Sequence, residues 1–129
     1  MTTELIMLAL SVVLGLVYIL VSASAATSER GLDWNTGARD LPMPPLSGVA
    51  GRLERALRNY METFPLFAAA VLIAHVANRH GAMTVLGAHL YFWARLAYLP
   101  LYAMGVPFIR TLAWAAAMLG IVLILFALI

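Results

Sequence analysis

The chain has 129 residues, 64% of them hydrophobic, with eight basic side chains, six acidic ones and a formal net charge of +2. Soluble domains are roughly 45–50% apolar, so this composition and a mean hydropathy of +0.93 indicate a membrane protein. The small charge excludes a nucleic-acid-binding domain, and the absence of cysteine excludes disulfides and a cysteine nucleophile.

Four long apolar stretches predict four membrane-spanning helices. A helix needs about 20 apolar residues to cross a hydrocarbon core about 30 Å thick. The predicted fold class is an all-α membrane protein, a four-helix transmembrane bundle in the lipid bilayer that takes up the whole chain, 1–129, as one domain. The stretches lie at about residues 5–26, 49–77, 82–104 and 108–129.

The connections between these helices predict the orientation in the membrane. The first stretch follows Glu4 and lacks the positively charged start of a signal peptide, so we expect it to be kept as a helix. Residues 27–51 are polar and proline-rich, and they form the one long loop. Because most arginines lie on the side of this loop, the positive-inside rule places that side in the cytoplasm and both termini outside, in a bacterium across the inner membrane. These arginines are Arg30, Arg39, Arg52, Arg55, Arg58 and Arg110.

Polar residues of the second helix share one face. Arg52, Arg55, Asn59 and Glu62 are spaced by three, four and three residues, which brings them together at about 100° per residue. Charged side chains at membrane depth cost several kcal/mol unless they are paired or hydrated, so this face should line a cavity or an interface. The alternative is that the helix starts among lipid headgroups, where arginines contact anionic lipid. A phosphate offers nothing to the carboxylate of Glu62, which weighs against that alternative.

The third helix carries a matching polar face. Arg95, Tyr98 and Tyr102 are again three and four residues apart, and Arg95 is too deep to be an interfacial anchor. Glu62 is the expected partner of Arg95, and Arg110 begins the fourth helix on the same side. Several cations, one carboxylate and two phenols suit a small anionic or zwitterionic ligand. The three histidines lack metal-ligand spacing, so no metal site is predicted.

The segment Arg55–Phe67, RALRNYMETFPLF, resembles the second-helix signature of the MAPEG family, the membrane-associated proteins in eicosanoid and glutathione metabolism. The shared pattern is RAxxNxxE followed shortly by proline. The four apolar stretches, the long first loop and the polar series of the third helix are similar as well, over essentially the whole chain. The pattern is closer to bacterial members than to the eicosanoid enzymes.

The resemblance implies a homotrimer that binds glutathione between neighbouring subunits near the cytoplasmic side. Arg55, Asn59 and Glu62 match positions that hold the charged and peptide groups of glutathione, with Glu62 facing its amino end. Arg58 matches a ligand-contacting arginine only in the prostaglandin synthase branch.

Residues of the third and fourth helices also match functional positions of the family. Tyr98 and Tyr102 match positions near glutathione, and Arg95 matches an arginine of the third helix. Arg110 is the candidate catalytic residue, because a cation beside sulfur favours the nucleophilic thiolate. The alternative for Arg110 is that it only caps the turn.

Two functions remain open from the sequence. The first is a glutathione-dependent transferase or peroxidase that acts on a lipophilic electrophile from the membrane. The second is a non-catalytic membrane protein that uses the polar residues for trimer assembly or for another anionic ligand. In the first case Arg30 or Arg39 of the loop would also reach the ligand, and the sequence does not choose between them.

Overall fold

All the regular secondary structure of the chain is helical, as its long apolar stretches predict. A computed structural model describes residues 1–129 and contains no strand. The all-α prediction is confirmed, whereas the short α2 inside the long loop was not predicted. The helices are α1 (Thr3–Arg30), α2 (Leu32–Thr36), α3 (Gly48–Val76), α4 (Ala82–Ala103) and α5 (Pro107–Phe126).

Helices α1 and α5 are long and apolar enough to cross a membrane. The mean hydropathy of their most apolar windows is 2.7 in α1 and 2.1 in α5. Large apolar side chains cover their outer faces, for example Leu20 at 64% exposure and Phe126 at 63%. Such continuous apolar surface is unfavourable in water and favourable in lipid, which supports a membrane location.

Local signals in the sequence explain where the helices begin and end. The Thr2 side chain accepts a hydrogen bond from the Leu5 amide and caps the start of α1. Gly31 ends α1 at a φ of 94°, a left-handed value that favours glycine. Pro107 occupies the first turn of α5, where no backbone N–H is needed. The break at Gly105 and Pro107 turns the chain back and places α4 and α5 side by side.

The α4–α5 pair is the closest helix contact, and it depends on two glycines. A Cβ atom on Gly87 would lie 2.5 Å from the carbonyl oxygen of Gly120, and the reverse distance is also 2.5 Å. No side chain fits between the two backbones at this point. Small residues at such crossings let helices pack tightly when lipid supplies no hydrophobic driving force between them.

Buried tyrosines connect α1 to α3 and α4. The Tyr18 hydroxyl donates to the Arg95 carbonyl over 2.6 Å, and the Tyr60 hydroxyl donates to the Ser11 carbonyl. The rings of Tyr18 and Tyr60 stack with their centroids 4.4 Å apart. Because these hydroxyls are satisfied inside the protein, the aromatic layer between the helices can be both polar and buried.

The two ends of the helix assembly differ in their polar groups. At one end Glu4 is buried, accepts a hydrogen bond from the Thr84 hydroxyl and lies 3.4 Å from a ring nitrogen of His80. This contact ties the start of α1 to the start of α4. The other end, called the loop end here, is where α1 and α4 finish and α3 and α5 begin. Most of the arginines lie there.

Candidate functional site

A cavity of about 250 Å³ opens at the loop end between α3, α4 and α5. Five of its seven lining residues were singled out from the sequence. The cavity, called the arginine cavity below, is lined by Arg55 and Asn59 of α3, Tyr98 and Tyr102 of α4, and Arg110, Thr111 and Trp114 of α5.

Tyr102 brings two arginines together in the arginine cavity. Arg55 Nε donates to the Tyr102 hydroxyl oxygen over 3.2 Å. The Arg110 guanidinium lies over the face of the Tyr102 ring, 4.5 Å from its centroid, a favourable cation–π distance. Neither arginine forms an ion pair, since the ion pairs of the chain are Arg58–Glu54 and His80–Glu4. The cavity is therefore positively charged.

Arg95 lies behind this cavity, and its expected pairing with Glu62 is wrong for the single chain. Arg95 is fully buried, and its Nη1 donates to Asn59 Oδ1 over 2.7 Å. Glu62 is exposed and makes no hydrogen bond or ion pair within the chain. The cause is the register of the two helices, because Arg95 is level with Asn59, three residues before Glu62.

Arg58 and Glu62 lie outside the arginine cavity. Both are exposed, and Arg58 Nη2 lies 3.5 Å from a carboxylate oxygen of Glu54. Glu62 is the fifteenth of the 29 residues of α3, halfway along the helix. In a helix that crosses the bilayer, a carboxylate at this position would be unfavourable against lipid.

Sequence reasoning missed two residues of the site. Thr111 and Trp114 line the arginine cavity from α5. Trp114 is one helical turn after Arg110, so the same i, i+4 spacing that joined the other site residues would have found it. Its indole gives the otherwise polar cavity an apolar wall.

The loop arginines occupy a second cavity of about 220 Å³. The guanidinium groups of Arg30 and Arg39 lie 5.1 and 5.4 Å from the centroid of the Trp34 ring. Arg30 Nη2 also donates to the carbonyl of Pro44. Within one chain neither arginine reaches the arginine cavity.

The arrangement in the arginine cavity suits binding of an anion. Arginine guanidinium groups, phenol hydroxyls and the Asn59 amide offer hydrogen-bond donors to carboxylate or carbonyl oxygens. A guanidinium beside a thiol also favours its thiolate, the nucleophilic form. Nowhere in the chain do three metal-ligating side chains gather.

Comparison with known proteins adds the family to this geometry. The model of the MAPEG family matches residues 7–129, a range that contains every residue of the arginine cavity. No curated protein and no solved structure gives a match. The family consists of membrane-embedded proteins and includes glutathione-dependent transferases and peroxidases as well as non-catalytic members. Because the match covers nearly the whole sequence, the chain belongs to the MAPEG family.

Proposed function

We propose that the protein binds glutathione in the arginine cavity and transfers it to, or reduces with it, a lipophilic electrophile that enters from the membrane. The observation that carries the proposal is the convergence of Arg55 and Arg110 on Tyr102 with no acid to neutralise them. Glutathione has two carboxylates and two peptide carbonyls, so its acceptors match these donors.

The site residues divide the ligand between them. Arg55 and Arg110 take the charged groups, Asn59 takes a carbonyl or carboxylate oxygen, and the phenols of Tyr98 and Tyr102 lie alongside. Glu62 and Arg58 lie outside the cavity within one chain, and we assign Glu62 to the amino end of the ligand at an edge that a neighbouring subunit completes.

A homotrimer provides that edge. The exposed Glu62 halfway along α3 supports this assembly, because a carboxylate facing lipid costs several kcal/mol and a subunit interface removes that cost. In the assembly all four long helices cross the bilayer. The arginine-rich loop end faces the cytoplasm, and the termini lie outside, in a bacterial inner membrane.

Arg110 is the catalytic residue in this proposal. The thiol of glutathione loses its proton to solvent, and the thiolate attacks the electrophilic carbon with loss of the leaving group. With a hydroperoxide the thiolate attacks the terminal oxygen and the O–O bond breaks, which gives the sulfenic acid of glutathione and an alkoxide that takes a proton from solvent. A second glutathione then converts the sulfenic acid to the disulfide with loss of water. Arg110 stabilises the thiolate, and each unit of lowered thiol pKa corresponds to about 1.4 kcal/mol. Trp114 supplies the apolar wall against which a lipophilic substrate packs.

Product analysis tests the activity. The purified protein in detergent is incubated with glutathione and either 1-chloro-2,4-dinitrobenzene or cumene hydroperoxide. A transferase forms the dinitrophenyl conjugate, and a peroxidase forms glutathione disulfide and the alcohol. Neither product above the rate without protein would contradict an enzymatic role.

A second function is favoured by the exposed charges of α3. Glu62 and Arg58 lie on the outside of the single chain, where they can hold subunits together without any ligand. In that case the protein is a non-catalytic member of the family, and its polar residues serve trimer assembly or another anionic ligand. Substitution of Glu62 separates the two functions, as described in the Discussion.

A further inference from the structure

Arg95 is a buried cation without an acid. Its side chain is fully buried between α1, α3 and α4, and only one of its hydrogen-bond donors, Nη1, has a partner. Its Nε and Nη2 atoms have none. The guanidinium is instead surrounded by tyrosine rings, with centroids of Tyr98, Tyr60 and Tyr18 at 4.2, 5.2 and 5.9 Å. Cation–π contacts offset part of the cost of burying the charge.

The single hydrogen bond of Arg95 determines how the Asn59 amide is oriented. A guanidinium has only donors, so it must meet the oxygen of the amide and not the nitrogen. Arg95 Nη1 therefore holds Asn59 Oδ1, and Asn59 Nδ2 has no partner in the chain and is not enclosed. Since Asn59 lines the arginine cavity, this nitrogen is its contribution to a ligand.

The neighbouring polar groups of the arginine cavity also present hydrogen-bond donors to a ligand. The Tyr102 oxygen accepts from Arg55 Nε, which leaves the hydroxyl hydrogen of Tyr102 for a ligand. Arg55 itself can only donate. The wall formed by Arg55, Asn59 and Tyr102 thus offers donors from three side chains, and each of its two acceptor oxygens already accepts a hydrogen bond.

We propose that Arg95 is a positioning residue that fixes Asn59 as a donor, so that this wall selects a ligand group with acceptors only, a carboxylate or a carbonyl, and rejects an amine or a protonated acid. The inference rests on the proposed function in taking the arginine cavity as the ligand site. It assigns Arg95 a role without ligand contact, through the orientation of one amide.

The variants Asn59→Asp and Asn59→Leu together test the donor of Asn59. Aspartate is nearly isosteric with asparagine and keeps an oxygen for Arg95, but its negative charge also repels an anion. Leucine has a similar size and removes the donor without adding a charge. If Asn59 only packs, Asn59→Leu should bind glutathione like the wild type. The positioning role predicts weaker binding in both variants, because the donor is lost. Loss of a hydrogen bond to a charged group corresponds to about tenfold to hundredfold in affinity. Arg79→Met, at the opposite end of the helix assembly, is the matched control for the charge lost in Arg95→Met.

A double-mutant cycle tests the coupling of Arg95 to Asn59. Arg95→Met should weaken glutathione binding about tenfold, and Arg95→Lys should restore most of it. In an Asn59→Ala background, Arg95→Met should have no further effect if Arg95 acts only through Asn59. Additive losses would overturn the proposal. If Arg95→Met does not fold, Arg95→Gln takes its place in the cycle, because glutamine can donate or accept and so does not fix the Asn59 amide.

A second probe keeps the test independent of glutathione. Trp114 lines the cavity, so in a Trp34→Phe, Trp93→Phe background its fluorescence reports entry of iodide relative to neutral acrylamide. The iodide-to-acrylamide quenching ratio should fall with Arg95→Met and recover with Arg95→Lys. In an Asn59→Ala background Arg95→Met should cause no fall, whereas an effect of the lost charge alone would persist.

Glutathione titration and fluorescence quenching together distinguish the positioning role of Arg95 from the proposed glutathione-binding function. If the wild type does not bind glutathione but the quenching ratios change as expected, the proposed function fails and the positioning role stands. If glutathione binds and both the affinity of Asn59→Leu and the ratio in Arg95→Met are unchanged, the positioning role is overturned and the proposed function stands.

Discussion

Arg55 of α3 donates to the hydroxyl of Tyr102 on α4 over 3.2 Å, and this bond joins the two helices at the wall of the arginine cavity. The Tyr102 ring also carries the Arg110 guanidinium on its face. One side chain thus positions a cation from each of the two neighbouring helices. The positions of the two cations in the cavity therefore depend on this tyrosine.

Tyr102→Phe should weaken glutathione binding about tenfold to hundredfold, because it removes a hydrogen bond to a charged group and keeps the ring. Tyr102→Leu should weaken it further, since the cation–π contact with Arg110 is lost as well. Isothermal titration of both variants checks this order. Equal losses in the two variants would show that the ring does not position Arg110.

Arg110→Met should raise the pKa of the thiol of bound glutathione, because the cation that favours the thiolate is gone. A rise of about one unit would cost about 1.4 kcal/mol of thiolate stabilisation. Thiolate absorbance of the bound ligand, followed against pH, measures the shift, and the conjugation rate should fall most on the acidic side of the wild-type thiol pKa. Arg79→Met controls for the lost charge. An unchanged thiol pKa would leave Arg110 as a cap of the turn.

Glu62→Ala distinguishes the two candidate functions. The glutathione-binding function predicts a trimer that survives in mild detergent and binds glutathione at least about tenfold more weakly, because a charged partner of the ligand is lost. The assembly function predicts loss of the trimer. Light scattering of the detergent complex and titration on the same sample measure both properties. An intact trimer with wild-type affinity would show that Glu62 serves neither glutathione binding nor trimer assembly.

Gly87→Ala should destabilise the α4–α5 pair by about 1–3 kcal/mol, the usual cost of overpacking. The new Cβ would lie 2.5 Å from the Gly120 carbonyl oxygen. Alanine favours a helix over glycine by about 0.5–1 kcal/mol, so any loss must come from this contact. Gly81→Ala is the matched control, because nothing lies within 4 Å of its Cβ. Thermal unfolding in detergent compares the two variants. Equal midpoint temperatures for Gly87→Ala and Gly81→Ala would mean that α4 and α5 can move apart at this point without loss of stability.

The helical character of the chain was predictable because it depends on local properties. Long apolar stretches and the spacing of Arg55, Asn59, Tyr98 and Tyr102 require no knowledge of the other helices. The family resemblance could be read from the segment Arg55–Phe67 of α3 alone. The short α2 was missed because it buries no residue and so leaves no apolar periodicity.

The partner of Arg95 could not be predicted because it depends on the register between two helices. Asn59 and Glu62 share a face of α3 and differ by about 4.5 Å along its axis, at about 1.5 Å per residue. Spacing within one helix cannot say which of the two is level with Arg95. The packing of tyrosines around Arg95 sets that level, and it places Asn59 there.

Titration of the purified wild-type protein with glutathione tests most directly whether the arginine cavity holds this ligand. We expect saturable binding that Arg55→Met and Arg110→Met each weaken and that Arg79→Met leaves unchanged. No heat and no thermal stabilisation at millimolar glutathione would contradict it. So would binding of equal strength in the Arg55→Met and Arg110→Met variants, since the ligand would then lie elsewhere.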